Sequence, residues 1–172
     1  MIYRYLLPCS IIAVAIFVQW FDVDIRYSRE DIENGEYWRL VTAHFIHLSW
    51  THMWLNAISL IIIWELTVKS YSFWWFLACG FGISLGLWLF SPEVIWYVGL
   101  SGILHGLLAS IARQRYPVLL VFLIIKLAWE QLYGGLPATA DLTGGTVVVD
   151  AHLYGALIGI SLPTFFEQDL TD

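Results

Sequence analysis

The stretch Val98-Gly99-Leu100-Ser101-Gly102-Ile103-Leu104-His105-Gly106-Leu107-Leu108-Ala109-Ser110 decides how the rest of the chain is read. A glycine turn leads into a serine, and an apolar helix rich in small residues follows it. The first N–H groups of a helix have no intrahelical acceptor, and the helix dipole is positive there. A hydroxyl in that position lies beside donors able to hold an oxyanion once it has attacked a carbonyl. The hydroxyl needs a base to become a nucleophile. The best candidate is His152, in Ala151-His152-Leu153-Tyr154-Gly155-Ala156-Leu157-Ile158-Gly159.

Outward from this stretch, the chain is apolar. Of its 172 residues 59% are hydrophobic and 13% charged, and the mean hydropathy is +0.72, which sets it apart from soluble domains. Segments able to cross a hydrocarbon layer of roughly 30 Å recur along it. They fall at about 6–21, 50–68, 73–90, 100–112, 117–133 and 150–166. The expected fold is therefore an all-α polytopic membrane protein of six helices, with residues 1–172 as a single membrane domain. The fourth segment is short for a span, so the loop before it is expected to dip into the membrane, where protein or a water-filled cavity must surround it.

Six of the fourteen acids (Asp22, Asp24, Glu30, Asp31, Glu33 and Glu36) lie in the one long polar loop, 22–49. The acidic balance, with a net charge of −6, argues against a nucleic-acid partner. A retained first span is expected rather than a cleaved signal, because no small-x-small site follows Phe21. With six spans, Arg4, Lys69, Arg113 and Arg115 share one side in short segments, which places both termini in the cytoplasm. Ser101 and His152 then open toward the outer side. Cys9 and Cys79 both fall in apolar segments and are expected to be two buried thiols.

Gly102 and Gly106 form a small-xxx-small pair, and Gly155 and Gly159 form another. Two such faces can meet closely in lipid, and their meeting would bring Ser101 to His152. The nucleophile elbow of soluble α/β-hydrolases is not matched, since Ile103 stands where its second glycine would be.

Gly99-Leu100-Ser101-Gly102 and Ala151-His152-x-x-Gly155-x-x-x-Gly159 resemble the GxSG and AHxxGxxxG motifs of rhomboid intramembrane serine proteases. Trp38-Arg39 resembles the first-loop WR pair of that family, and His52-Met53-Trp54-Leu55-Asn56 its HxxxN motif. The resemblance covers about 36–161. The form Gly-Leu-Ser-Gly-Ile-Leu-His-Gly is further similar to the rhombosortase subgroup, bacterial enzymes associated with GlyGly-CTERM tails. The resemblance implies a rhomboid-like six-helix bundle with a membrane-associated first loop, structured by Trp38 and Arg39. It implies a Ser101–His152 dyad, with the oxyanion held by the Ser101 N–H, His52 and Asn56, and with Gly99, Gly102, Gly155 and Gly159 as support. It implies a substrate anchored in the lipid bilayer by a C-terminal tail with a Gly-rich segment, an apolar helix and a basic end. It implies the bacterial inner membrane as location, and no cofactor. Relatives that handle membrane proteins without cutting them supply the alternative, a non-proteolytic binding or chaperone protein.

Where most rhomboids carry a tyrosine or another apolar or aromatic residue four positions after the serine, this chain has His105, which is expected to stack on the His152 ring. No acid evidently completes a triad. Asp150 is two residues from His152 and so faces elsewhere on a helix, and it is expected to cap the sixth span. Lys126 and Glu130 are an i,i+4 pair within the fifth span, expected to neutralise one another. His44, His47 and His52 lack the spacing of a metal site, so no metal is expected; His44 and His47 are read as anchors of the first loop.

Overall fold

The computed structural model describes residues 2–67, 69–136, 139–162 and 167–169. The chain is mostly helical. A short 3-10 turn, Ile2–Tyr5, leads into α1 (Leu6–Trp20), and the first loop holds β1 (Tyr27–Ser28), α2 (Arg29–Glu33), α3 (Arg39–Thr42) and a second 3-10 turn, Ala43–Phe45. Then come α4 (Trp50–Glu65), β2 (Lys69–Tyr71), α5 (Phe73–Phe90), β3 (Trp96–Tyr97), α6 (Ser101–Arg115) and α7 (Pro117–Tyr133). The short helix α8 (Thr139–Thr143), α9 (Val149–Ser161) and β4 (Glu167–Asp169) complete the described chain.

Local chemistry sets the helix ends. Ser49 and Ser72 are extended residues whose hydroxyls accept from His52 N and Trp75 N, capping α4 and α5. Pro117 opens α7, where its missing N–H costs nothing, and Gly134, at a φ of 82°, ends it. α6 is the centre of the bundle, buried from Gly102 to Gly106 on the face toward α9 and flanked by α4, α5 and α7. The glycines explain how close the approach is. A Cβ on Gly155 would collide with the Gly102 carbonyl oxygen, and one on Gly159 with that of Gly106. The two small-residue faces therefore meet, backbone against backbone.

Around this core the outer faces are apolar. Val118, Val121, Phe122, Ile124 and Ile125 on α7 and Trp54, Ile58 and Ile62 on α4 are exposed, a surface that suits lipid better than water. Among the described residues, only α5 is long and apolar enough to cross a membrane by itself, and α3 with its 3-10 turn and α4, bent by 91°, would make a second if taken as one broken span. The other expected spans form helices of 13–17 residues; α4 and α9 stop at Glu65 and Ser161, short of the expected 68 and 166, and α6 runs on to Arg115, past the expected 112, while residue 68 and residues 163–166 lie outside the described residues.

Two expectations need correction. Cys79 is buried, but Cys9 is exposed on the outer face of α1. Asp150 does not cap α9: the residue at that position is Val148, and the Asp150 carboxylate instead accepts the Ser91 hydroxyl at 2.5 Å, joining the end of α5 to the start of α9. The carboxylate still sits in the first turn of its helix, where its charge suits the dipole.

Candidate active site

Ser101 is the first residue of α6, so its N–H has no acceptor within the helix. The turn before it needs glycine, because Gly99 has a φ of +120° and a side chain there would press on the His52 ring. The first loop and β3 brace this turn from several directions. Gly99 N donates to Ala43 O at 3.0 Å, and the Tyr97 hydroxyl donates to Gly99 O at 2.6 Å. His44 reaches Gly99 O and, at 2.9 Å, Gly80 O, while Leu100 N donates to His47 Nε2 at 3.4 Å. Burial pushes the His47 imidazole down to about 3, with His52 and His44 adding to the effect, so it stays neutral and able to accept.

His152, in the first turn of α9, is buried, and its Nε2 lies 2.9 Å from Ser101 Oγ. The α6–α9 glycine contact accounts for this proximity, since the two side chains project from the same end of two helices in van der Waals contact. A cavity of about 320 Å³ opens on the pair. It is lined by His52, Leu55, Asn56, Ser59 and Ile63 of α4, by Ser101, Leu104, His105 and Leu108 of α6, and by His152, with Thr139, Thr143 and Val147 alongside. His52 and Asn56 are thus brought to the serine on one face of α4. Asn56 Nδ2 donates one hydrogen to His52 O at 2.9 Å, and the amide carries a second. His52 Nδ1 is buried and finds no hydrogen-bond partner among the described residues.

The His105 ring stacks on that of His152, with centroids 4.0 Å apart and planes 16° from parallel. Trp38 and Arg39 stand away from the serine. The Arg39 guanidinium lies 4.5 Å from the Trp38 ring centre and bonds Glu36 Oε2 and the carbonyls of Asp24 and Arg26, all within the first loop.

The far side of His152 corrects the expectation that no acid is at hand. Glu130, buried on α7, places Oε2 3.0 Å from His152 Nδ1. The same oxygen accepts from Lys126 Nζ at 2.6 Å, so the expected i,i+4 pair exists but does not close on itself. Lys126 Nζ also lies 2.6 Å from His105 Nε2 and 3.2 Å from His152 Nδ1. A charged residue within an apolar span was the only sequence signal for Glu130. Among the described residues, His105, Glu130 and His152 are the one group whose ligand atoms cluster tightly enough for a metal, all within 4.8 Å. The Lys126 ammonium lies among those atoms, where its charge opposes a divalent ion.

A helical scaffold with an exposed apolar surface, holding a serine and a histidine in hydrogen-bond contact at an open cavity, defines a membrane protein built around a Ser–His pair. The Rhomboid domain family matches residues 34–168, and the chain belongs to that family. It is similar to Rhomboid-like protein 11, chloroplastic, of Arabidopsis thaliana, at 30% identity over 73% of this chain and 51% of that protein. The chain spans about half the length of that curated relative. No solved structure matches.

Proposed function

We propose that the protein is an intramembrane serine endopeptidase that cuts in or beside the membrane anchor of a secreted protein. The observation that carries this reading is the 2.9 Å contact between Ser101 Oγ and His152 Nε2, made in a cavity that His52 and Asn56 also line. In the first half-reaction Ser101 Oγ bonds to the scissile carbonyl carbon while its proton passes to His152 Nε2. The carbonyl oxygen becomes an oxyanion beside the Ser101 N–H, His52 and Asn56. The C–N bond then breaks as His152 returns the proton to the leaving amine, and water, activated by the same histidine, releases the acyl group.

On this reading the six long helices span the bacterial inner membrane with both termini in the cytoplasm and the site opening outward. The substrate enters from lipid between α4 and α7, beside the apolar α4 side chains Leu55 and Ile63 that line the cavity. The similarity of Gly99–Gly106 to rhombosortases supports a substrate tail with a Gly-Gly segment, an apolar helix and a basic end.

The test is co-expression with a reporter carrying such a tail. Wild type should release the shortened passenger, and S101A and H152A should not. Cleavage that survives S101A, in a host that shows none without the gene, would refute the serine mechanism. Well-folded wild type that binds the reporter without cutting it would favour the non-proteolytic alternative.

A further inference from the structure

We propose that Glu130 is a positioning residue that holds His152 in the one tautomer able to take the Ser101 proton, against the competing ammonium of Lys126. The inference rests on the serine-protease reading above and extends it.

His152 Nδ1 faces two groups with opposite demands. Glu130 Oε2, at 3.0 Å, can only accept a hydrogen bond when ionised, so it requires a proton on Nδ1. Lys126 Nζ, at 3.2 Å, can only donate, so it favours a bare Nδ1. A neutral imidazole carries one proton. With the proton on Nδ1, the Nε2 lone pair points at Ser101 Oγ and accepts its hydrogen. With the proton on Nε2, the ring donates to Oγ and cannot act as a base.

The remaining contacts tip this choice toward the productive form. His105 Nδ1 lies 2.7 Å from Ser101 O, which only accepts, so the His105 proton is on Nδ1 and its Nε2 is an acceptor. Lys126 therefore commits two of its three N–H donors to His105 Nε2 and Glu130 Oε2, both at 2.6 Å, closer than its 3.2 Å approach to His152 Nδ1. Its charge in turn compensates the buried carboxylate. His105, stacked on the His152 ring, thus secures the lysine as well as the face of the imidazole. When Ser101 gives up its proton, the imidazolium formed meets an ionised Glu130 already in place, as the carboxylate of a serine-protease triad does.

The experiment measures the rate at which a fluorophosphonate labels Ser101 in the purified full chain, together with kcat and KM for reporter cleavage. Wild type should label and S101A should not; an unlabelled, inactive wild type sinks the protease reading itself. In E130M only Lys126 is left to face Nδ1, and labelling and kcat should fall about a hundredfold or more, with KM little changed. In K126M/E130M the competing donor is also gone, and both rates should recover roughly tenfold over E130M, a coupling that a merely structural role does not produce. E130M labelling at close to the wild-type rate, or a double variant no faster than E130M, overturns the proposal and leaves the protease reading intact. Nitrogen-15 NMR of histidine-labelled wild type decides the matter even if E130M does not fold. The His152 signals, assigned by single histidine replacement, should show the proton on Nδ1, and a proton on Nε2 overturns the proposal.

Discussion

His47 is the residue at which mild acid should loosen the site. It is buried in the first loop, its Nε2 accepts the Leu100 N–H, and Leu100 is the residue before the nucleophile. Its imidazole is held down at about 3 in the folded protein, against roughly 6.5 in an unfolded chain. The folded state therefore keeps His47 neutral where the unfolded state takes up a proton, so the stability it supports is complete above about pH 6.5 and is lost as pH falls toward 3. Between pH 6.5 and 5 the loss is about 2 kcal/mol, from about 1.4 kcal/mol for each pH unit. The thermal midpoint in detergent should drop over that interval, and H47N should drop less while keeping an acceptor for Leu100. An equal drop in H47N would mean that other groups carry the acid sensitivity.

Among the helices, the α6–α9 contact is the one that makes the site, and it tolerates the least change. A Cβ on Gly155 meets the backbone of Gly102, which cannot move without separating the helices that carry Ser101 and His152. G155A should cost about 3 kcal/mol or more, at the upper end for overpacking, and should abolish fluorophosphonate labelling of Ser101. G82A makes the informative contrast. Its new Cβ meets only the Ile158 side chain, nearest at 2.9 Å from Cδ1, which can turn away, so stability should change by less than about 1 kcal/mol and labelling should persist. This interface was legible in the sequence because a four-residue glycine spacing marks one face of a helix, and two such faces have little else to do but meet. Glu130 was not legible as a partner of His152. The i,i+4 spacing shows that Lys126 and Glu130 share a face of α7, but not which helix that face meets, and the pair looked satisfied by itself. Ser91 and Asp150, 59 positions apart, and the two-residue strands β1 and β3 carry no period that a sequence could reveal.

Across the whole molecule, the contacts sort the chain into two ends. At one end Arg4 donates to Trp64 O in the last turn of α4 and to Thr67 O just beyond it, and the Tyr71 hydroxyl, before α5, donates to Ser110 Oγ near the end of α6. At the other, Arg29 donates to Leu87 O and Ser91 O at the end of α5, Ser91 bonds Asp150 at the start of α9, and His47 accepts from Leu100 before α6. The helices that began as hydropathy segments thus alternate in direction, and the short basic segments gather at the end away from Ser101. Charge alone could suggest that arrangement but not test it, because the acidic first loop also holds Arg26, Arg29 and Arg39. Arg39 is tied to Glu36 and Asp24, and Arg26 to Asp24, so part of the first loop's positive charge is balanced locally, which supports the proposed orientation by Arg4, Lys69, Arg113 and Arg115. The proposed topology then makes opposite demands on two exposed positions, Glu93 after α5 and Arg113 at the end of α6. In a C9A background, where Cys79 stays buried, E93C in intact spheroplasts should react with a membrane-impermeant maleimide, and R113C should react only after the membrane is opened. The reverse pattern would turn the active site toward the cytoplasm and remove secreted proteins as its substrates. Labelling of both positions without opening the membrane would show that α6 does not separate the two sides.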